Sequence, residues 1–325
     1  MSPRHLLLPL CAATLALSPA VAAEPVAVRA TPVALNPSDP TQRVVGHLEY
    51  RGGLQLVSEH PRFGGISSIR VLPDGERLVG ITDEGLWLSA RPVLRKGLLE
   101  GIEDVEMGPL LDPGGKAPEG KDARDAESLA LCRDGSFIVG FERRHRLLRY
   151  PAGSGRPDGV PTAVPSPPGL EASPLNGGIE ALVSLPGGAL FALTEYWLEK
   201  DQIVGWTGGP GHWERLGLRF EGALRPADAA LLPGGDVLIL ERAYNAERGI
   251  VHVRIRQIPE SSIRPGAALG GRVVAEFAPP LVLDNYEGIA AARDRSGETH
   301  VYLVSDDNLD RVRQRTLLLM FALRK

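Results

Sequence analysis

The chain has almost no cysteine. Two of its 325 residues are Cys, and Cys11 lies in an N-terminal apolar stretch that reads as part of an export signal. Cys132 is then the single thiol of the mature protein, and an intramolecular disulfide is excluded even in an oxidising compartment. Its setting, Leu129-Ala130-Leu131-Cys132, is strand-like, so we read it as a small buried hydrophobe. Past the N-terminus no apolar run is long enough to anchor the chain, so no integral membrane segment is expected after signal cleavage. Charge of one sign is missing as well. With 36 basic and 40 acidic residues the net charge is −4, which argues against nucleic acid or an anionic membrane as partner. There is no Gly-x-Ser-x-Gly elbow, His-Glu-x-x-His pair, Cys pair or P-loop, so serine-hydrolase, zincin and nucleotide-binding readings lack support. The seven histidines are scattered. Only His145, after Glu142-Arg143-Arg144, is placed to face a channel, and a solvated turn histidine is the simpler reading of it.

What is present begins with Arg4 and His5, an apolar stretch from Leu6 to Leu17 and the small residues Ser18-Pro19-Ala20-Val21-Ala22-Ala23. Such text is a secretory signal, too short to span a bilayer, with cleavage expected after Ala23. Residues 1–23 are therefore the signal, 24–42 a leader rich in Pro, Ala and Val, and 43–325 one domain. The product is expected to be periplasmic or secreted, and monomeric.

The domain is rich in Gly and Pro, 38 and 28 residues, and shows no long helical periodicity. Instead one pattern recurs about five times: an apolar run, a turn, a second apolar run and an acid at its end. The copies are Ile66 to Asp83, Glu127 to Glu142, Glu180 to Glu195, Asp228 to Glu241 and Glu287 to Asp306. Their turns are Leu72-Pro73-Asp74-Gly75, Cys132-Arg133-Asp134-Gly135, Leu185-Pro186-Gly187-Gly188, Leu232-Pro233-Gly234-Gly235 and the looser Arg293-Asp294-Arg295-Ser296-Gly297. In these joints Pro presets the first turn dihedral and Gly takes the positive φ of a tight hairpin. One or two further candidate strands follow most hairpins, so each unit reads as a four-stranded antiparallel sheet. Self-similarity at this spacing marks a propeller. The fold expected is all-β, a β-propeller of about five blades, closed by the strand text near 44–57 pairing with the C-terminal unit. A sixth blade is left open, in case 97–111 or 159–175 hides a divergent copy.

In a propeller the residue opening the innermost strand and the residue ending the second strand meet at one end of the central channel. The openers here are Glu127, Glu180, Asp228 and Glu287; the enders are Asp83, Glu142, Glu195, Glu241 and Asp306. The pattern predicts a ring of acids that cations or arginines must neutralise, since like charges raise one another's pKa. Arg124, Arg143 and Arg242 adjoin them in sequence. Many oxygen donors without paired His or Cys suit Ca²⁺ as the cofactor, with Asn176, Asn245, Asn285 and Asn308 as added neutral oxygens. The same acids also fit a purely structural lattice that caps strands and pairs with arginine; recurrence across units keeps the two readings level.

Phe63-Gly64-Gly65-Ile66-Ser67, Asp125-Ala126-Glu127-Ser128-Leu129, Asn176-Gly177-Gly178-Ile179-Glu180, Leu193-Thr194-Glu195, Leu240-Glu241-Arg242, Asp284-Asn285-Tyr286-Glu287-Gly288 and Ser305-Asp306-Asp307-Asn308 together resemble the phytase-like family, also called esterase-like activity of phytase. The likeness runs from about Phe63 to Leu323. It implies an exported bacterial propeller whose recurring Glu and Asp serve phosphodiester or phosphomonoester hydrolysis. The chain departs from the family at Thr82-Asp83-Glu84-Gly85, where a Ser-Asp-Arg-Gly ending is usual and a basic residue is lost. The leading expectation is a calcium-dependent phosphoric-ester hydrolase acting on a small phosphorylated substrate. Glu127, Glu180 and Glu287 would serve catalysis, and Arg143 or Arg242 would stabilise charge on phosphorus. The alternative is a non-catalytic propeller that binds an extracellular or envelope ligand. Lactonase or sugar-oxidising chemistry rests on fold analogy alone.

Overall fold

The structure, a computed structural model, describes residues 23–324 apart from 246 and 248. The signal sequence read at the N-terminus thus lies, but for Ala23, outside the described residues. Five antiparallel sheets stand in a ring as the blades of a propeller. From the channel outward, blade 1 runs Ile66–Val71, Leu78–Thr82, Leu86–Arg95, Leu98–Pro109. Blade 2 runs Ala126–Leu131, Phe137–Phe141, Arg146–Tyr150, Thr162–Val164. Blade 3 is Ile179–Ser184, Leu190–Glu199, Gln202–Gly208, Glu214–Arg219, with Ala268–Leu269 added in parallel at its edge. Blade 4 is Arg225–Leu231, Val237–Asn245, Gly249–Ile258, Arg272–Phe277, and blade 5 is Tyr286–Arg293, Thr299–Ser305, Thr316–Leu323 and Leu48–Val57. The N-terminal strand closes the ring as the sequence implies, from Thr316↔Leu56 to Leu323↔Leu48.

The sixth blade does not form. Residues 97–111 supply the fourth strand of blade 1, and 159–175 hold only Thr162–Val164 and a 3₁₀ turn, Leu170–Ala172. The segment read as a leader is built into the sheets. Glu24–Pro25 pairs with the outer strand of blade 1 and Arg29–Pro32 with that of blade 5, while Leu35 is 1% exposed in an apolar cluster. All five expected turns are present: in each the glycine N–H closes on a carbonyl three residues back, as Gly75 does on Leu72 at 2.8 Å, with φ of 73° to 99°.

Strand alternation, period two, decides where the core goes. Val301 and Leu303 face blade 4 while Tyr302 and Val304 face blade 1; Phe137, Val139 and Phe141 face blade 1 while Ile138 faces blade 3. The result is five apolar layers, one in each gap between blades, and no single central core. Each fully buried Phe or Leu in these layers contributes about 1.5–3 kcal/mol. Cys132 is only partly buried, at the edge of one layer, and burial pushes its thiol up.

The inner strands pack side by side around the channel in chain order, and the last meets the first. Halfway down, the channel is blocked by Arg70 of blade 1 and Asp228 of blade 4. The guanidinium nitrogens meet the two carboxylate oxygens at 2.9 and 3.0 Å and also donate to the carbonyls of Leu182 and Ile289. Below this block a separate cavity of about 160 Å³, with Arg70 in its wall, opens at the turn face.

Candidate functional site

Every blade carries a β-bulge at the same point of its inner strand. The register between first and second strands slips by one residue, and the extra residues are Ser67, Glu127, Glu180, Ala227 and Glu287. A bulge takes its extra residue out of the alternation and re-aims the side chain. Here it directs three glutamates into one cavity. The residue just past the second strand's last pair with the inner strand returns its N–H to the carbonyl two positions before the bulge: Asp83 to Gly65 at 2.9 Å, Glu142 to Asp125 at 2.8 Å, Glu195 to Gly178 at 3.1 Å and Asp306 to Asn285 at 2.9 Å. Those four acids line the same cavity, so one repeated backbone device gathers seven of the carboxylates expected from the sequence.

Blade 4 departs at both positions. Ala227 occupies the bulge, and Arg242 stands where the other blades place the closing acid. Asp228 and Glu241, read as members of the ring, are each one residue out of register and lie elsewhere. Asp228 follows the bulge, points down the channel and is 0% exposed. It accepts from Arg70, from Ser68 Oγ at 3.0 Å and from the Ile289 N–H at 2.9 Å. Glu241 lies on the side of its strand that faces blade 3, paired with Arg256 at 2.9 and 3.0 Å. Burial pushes both carboxyls up, and the facing arginines oppose the shift. Neither adjoins the cavity.

Two cavity residues escape the repeat pattern. Asp125 comes two residues before Glu127, and Lys121 opens a four-residue helix, Lys121–Arg124, inserted between blades 1 and 2. Lys121 Nζ meets Asp83 at 2.6 Å and Asp125 at 2.7 Å, and Arg143 Nε meets Asp125 at 2.7 Å. Arg124 turns instead to Glu84, at 2.8 Å. Arg242 lies 3.0 Å from Glu287 and 3.3 Å from Glu195, and donates to Asn285 Oδ1 at 2.7 Å, whose own amide holds Glu287 at 2.8 Å. Asn176 and Asn308 line the cavity and Asn285 braces it. Asn245 is not in the wall. His145 stands behind Glu142 against Gly178, its Nε2 3.0 Å from the Pro174 carbonyl.

The cavity, about 250 Å³, therefore holds eight carboxylates and three cations, Lys121, Arg143 and Arg242. Its electrostatics follow from that imbalance. Burial first, then the neighbouring acids, lift Glu127, Glu180 and Asp306 well above the usual carboxylate range. Glu195 is pushed up to about 7 by burial against the pull of Arg242. Asp83, Glu142 and Glu287 are raised by burial too, the last with Arg242 opposing. Glu142 and Glu180 interact carboxyl to carboxyl, an arrangement in which one proton or one cation must intervene. Lys121 and Arg242 lose hydration, yet their acid partners hold both more firmly charged than usual.

Asp125, Glu127 and Glu142 each offer an oxygen within 4.8 Å of the others. Asp83 Oδ1 is buried in the same cavity without a hydrogen-bond partner. A donor set made wholly of oxygen, with an orphaned carboxylate oxygen and uncompensated charge, fits a hard divalent cation.

The chain is similar to a gluconolactonase from Xanthomonas campestris (12% identity, 94% of this chain and 99% of that one, TM-score 0.43). It is also similar to the PQQ-bound aldose sugar dehydrogenase of Streptomyces coelicolor (13%, 91% and 99%, TM-score 0.44). A third likeness is to a protein of unknown function from Bacteroides thetaiotaomicron (11%, 91% and 76%, TM-score 0.47). Likenesses this distant carry no argument about chemistry. No curated protein matches the chain. The family described as "Phytase-like: esterase-like activity of phytase" does match, over residues 61–309, a span that takes in every acid of the cavity from Asp83 to Asp306. With most of its length and the whole of its acidic ring inside that match, the chain belongs to the phytase-like family.

Proposed function

We propose that the protein is a divalent-cation-dependent hydrolase of small phosphoric esters, with calcium as the cation. The observation that carries this reading is the convergence of eight carboxylates and only three cations on one cavity. Asp125, Glu127 and Glu142 would hold the cation, with Asp83 beside them. When bound, the cation neutralises the excess acid and polarises an oxygen of the ester. Arg143 and Arg242, in the cavity wall, supply guanidinium donors to charge developing on phosphorus. Glu180 and Glu287, whose bulges bring them to the same cavity, would take a proton from an attacking water once the cation has offset the excess acid. The signal-type N-terminus puts this work in the periplasm or outside the cell.

The test begins with calorimetric titration of Ca²⁺ into metal-stripped mature protein. Hydrolysis of p-nitrophenyl phosphate and bis-p-nitrophenyl phosphate is then measured with and without the cation. Saturable binding that switches on turnover is expected, with a loss of about 100-fold or more in Glu180→Gln. Absence of both binding and turnover would make the acids structural and the cavity face a ligand-binding surface.

A further inference from the structure

The wall of the cavity is not uniform. On blade 4 the acids give way to Arg242, and directly across the strand pair from it stands Arg225. Among the described residues no carboxylate pairs with Arg225, and its Nε makes no hydrogen bond. The guanidinium lies over two rings instead, 4.0 Å from the centre of Phe220 and 5.8 Å from that of Tyr196. Tyr196 immediately follows Glu195 of the cavity wall. The ring nevertheless remains 47% exposed. Gly177 packs at the root of the side chain, where a Cβ would lie 3.0 Å from Tyr196 Cβ and 3.3 Å from its Cδ2, so the small residue makes room for Tyr196. Leu175, 68% exposed, ends the same short loop, and its carbonyl accepts the N–H of Arg143. Asn176, between Leu175 and Gly177, is part of the cavity wall. An apolar shelf thus borders the acidic cavity near Arg242.

Two large apolar side chains left in water beside a charged cavity, one of them given room by a glycine, form a surface that a ligand's flat face can cover. We infer that Tyr196 and Leu175 form a specificity shelf that receives the flat apolar group of the ester while its anionic end points toward Arg242. The site then selects aryl phosphoric esters over small alkyl ones. The inference rests on the proposed reading of the cavity as an anionic-ester site. It adds the substrate class and names a residue of blade 3 that contacts the substrate.

The experiment is calorimetric binding of phenylphosphonate and methylphosphonate, which cannot be hydrolysed, to the calcium-loaded mature protein and its variants. Phenylphosphonate is expected to bind about tenfold more tightly, the size of one good ring contact. Tyr196→Ala should abolish the preference, and Tyr196→Phe should retain it. Leu175→Ser, a change at an exposed position, should reduce it, which guards against a folding defect at position 196. Equal binding of the two phosphonates, or a preference that survives Tyr196→Ala, overturns the shelf and leaves the anion site standing. No binding of either probe overturns both.

Discussion

Asp228 is held in the middle of the channel, 0% exposed, by four donors: the Arg70 guanidinium, the Ser68 hydroxyl and the N–H groups of Ile289 and Ala229. Removing the carboxylate leaves a guanidinium buried without a counter-charge, the more damaging half of breaking a buried pair. Asp228→Ala should destabilise the fold by about 3–5 kcal/mol in urea denaturation, with calcium affinity of the folded fraction unchanged. A change below about 1 kcal/mol would contradict the role given to the pair. The same residue shows what the sequence concealed. Reading acids as the marker puts Asp228 and Glu241 in the ring. The bulge residue, however, stands five positions before the first turn residue in four blades: Ser67 before Leu72, Glu127 before Cys132, Glu180 before Leu185 and Ala227 before Leu232. Counting from the turn, not from the nearest acid, would have chosen Ala227 and, at the second strand's end, Arg242. A slip of one residue reverses the face of a strand, and so two carboxylates moved from the cavity to structural pairs.

At the scale of the element, the strand-turn-strand hairpins were legible because Pro and Gly mark their joints and apolar residues their two faces. The short N-terminal edge strands were not. Glu24–Pro25 and Arg29–Pro32 are two and four residues long, mostly exposed, and lack alternation. The helix Lys121–Arg124 is too short for any helical period to register, which is why Lys121 went unnoticed. The two short strands cover sheet edges of blades 1 and 5, a protection against edge-to-edge association. Deletion of residues 24–32 removes both edge strands and the buried Val26. It should lower stability by about 2–4 kcal/mol and make the protein associate with rising concentration, read by urea midpoint and light scattering. An unchanged midpoint with a monodisperse sample would show that the edges need no cover.

The molecule as a whole is five apolar layers around a cavity with too much negative charge. Its carboxyls titrate above their ordinary range: Glu195 moves from 4.5 to about 7, and Glu127, Glu180 and Asp306 move upward as well. Between those limits the folded state holds protons that the unfolded chain has already released, so raising the pH lowers stability. Metal-free protein should therefore melt about 5 °C or more lower at pH 8 than at pH 5. Calcium should recover the difference at pH 8 and do little at pH 5, where protons already fill its role. A melting temperature that rises with pH in the absence of metal would mean that the acids are neutralised within the protein.

The Arg70–Asp228 block, met above as a structural pair, also makes the acidic cavity a cul-de-sac. Nothing can thread through the ring, so whatever enters must leave by the same door, and reactant and product compete for it. A long polymer could present only its end to the acids, never an internal link drawn through the pore. Under the function proposed above, such a dead end suits the trimming of termini and of small esters and not a processive tunnel.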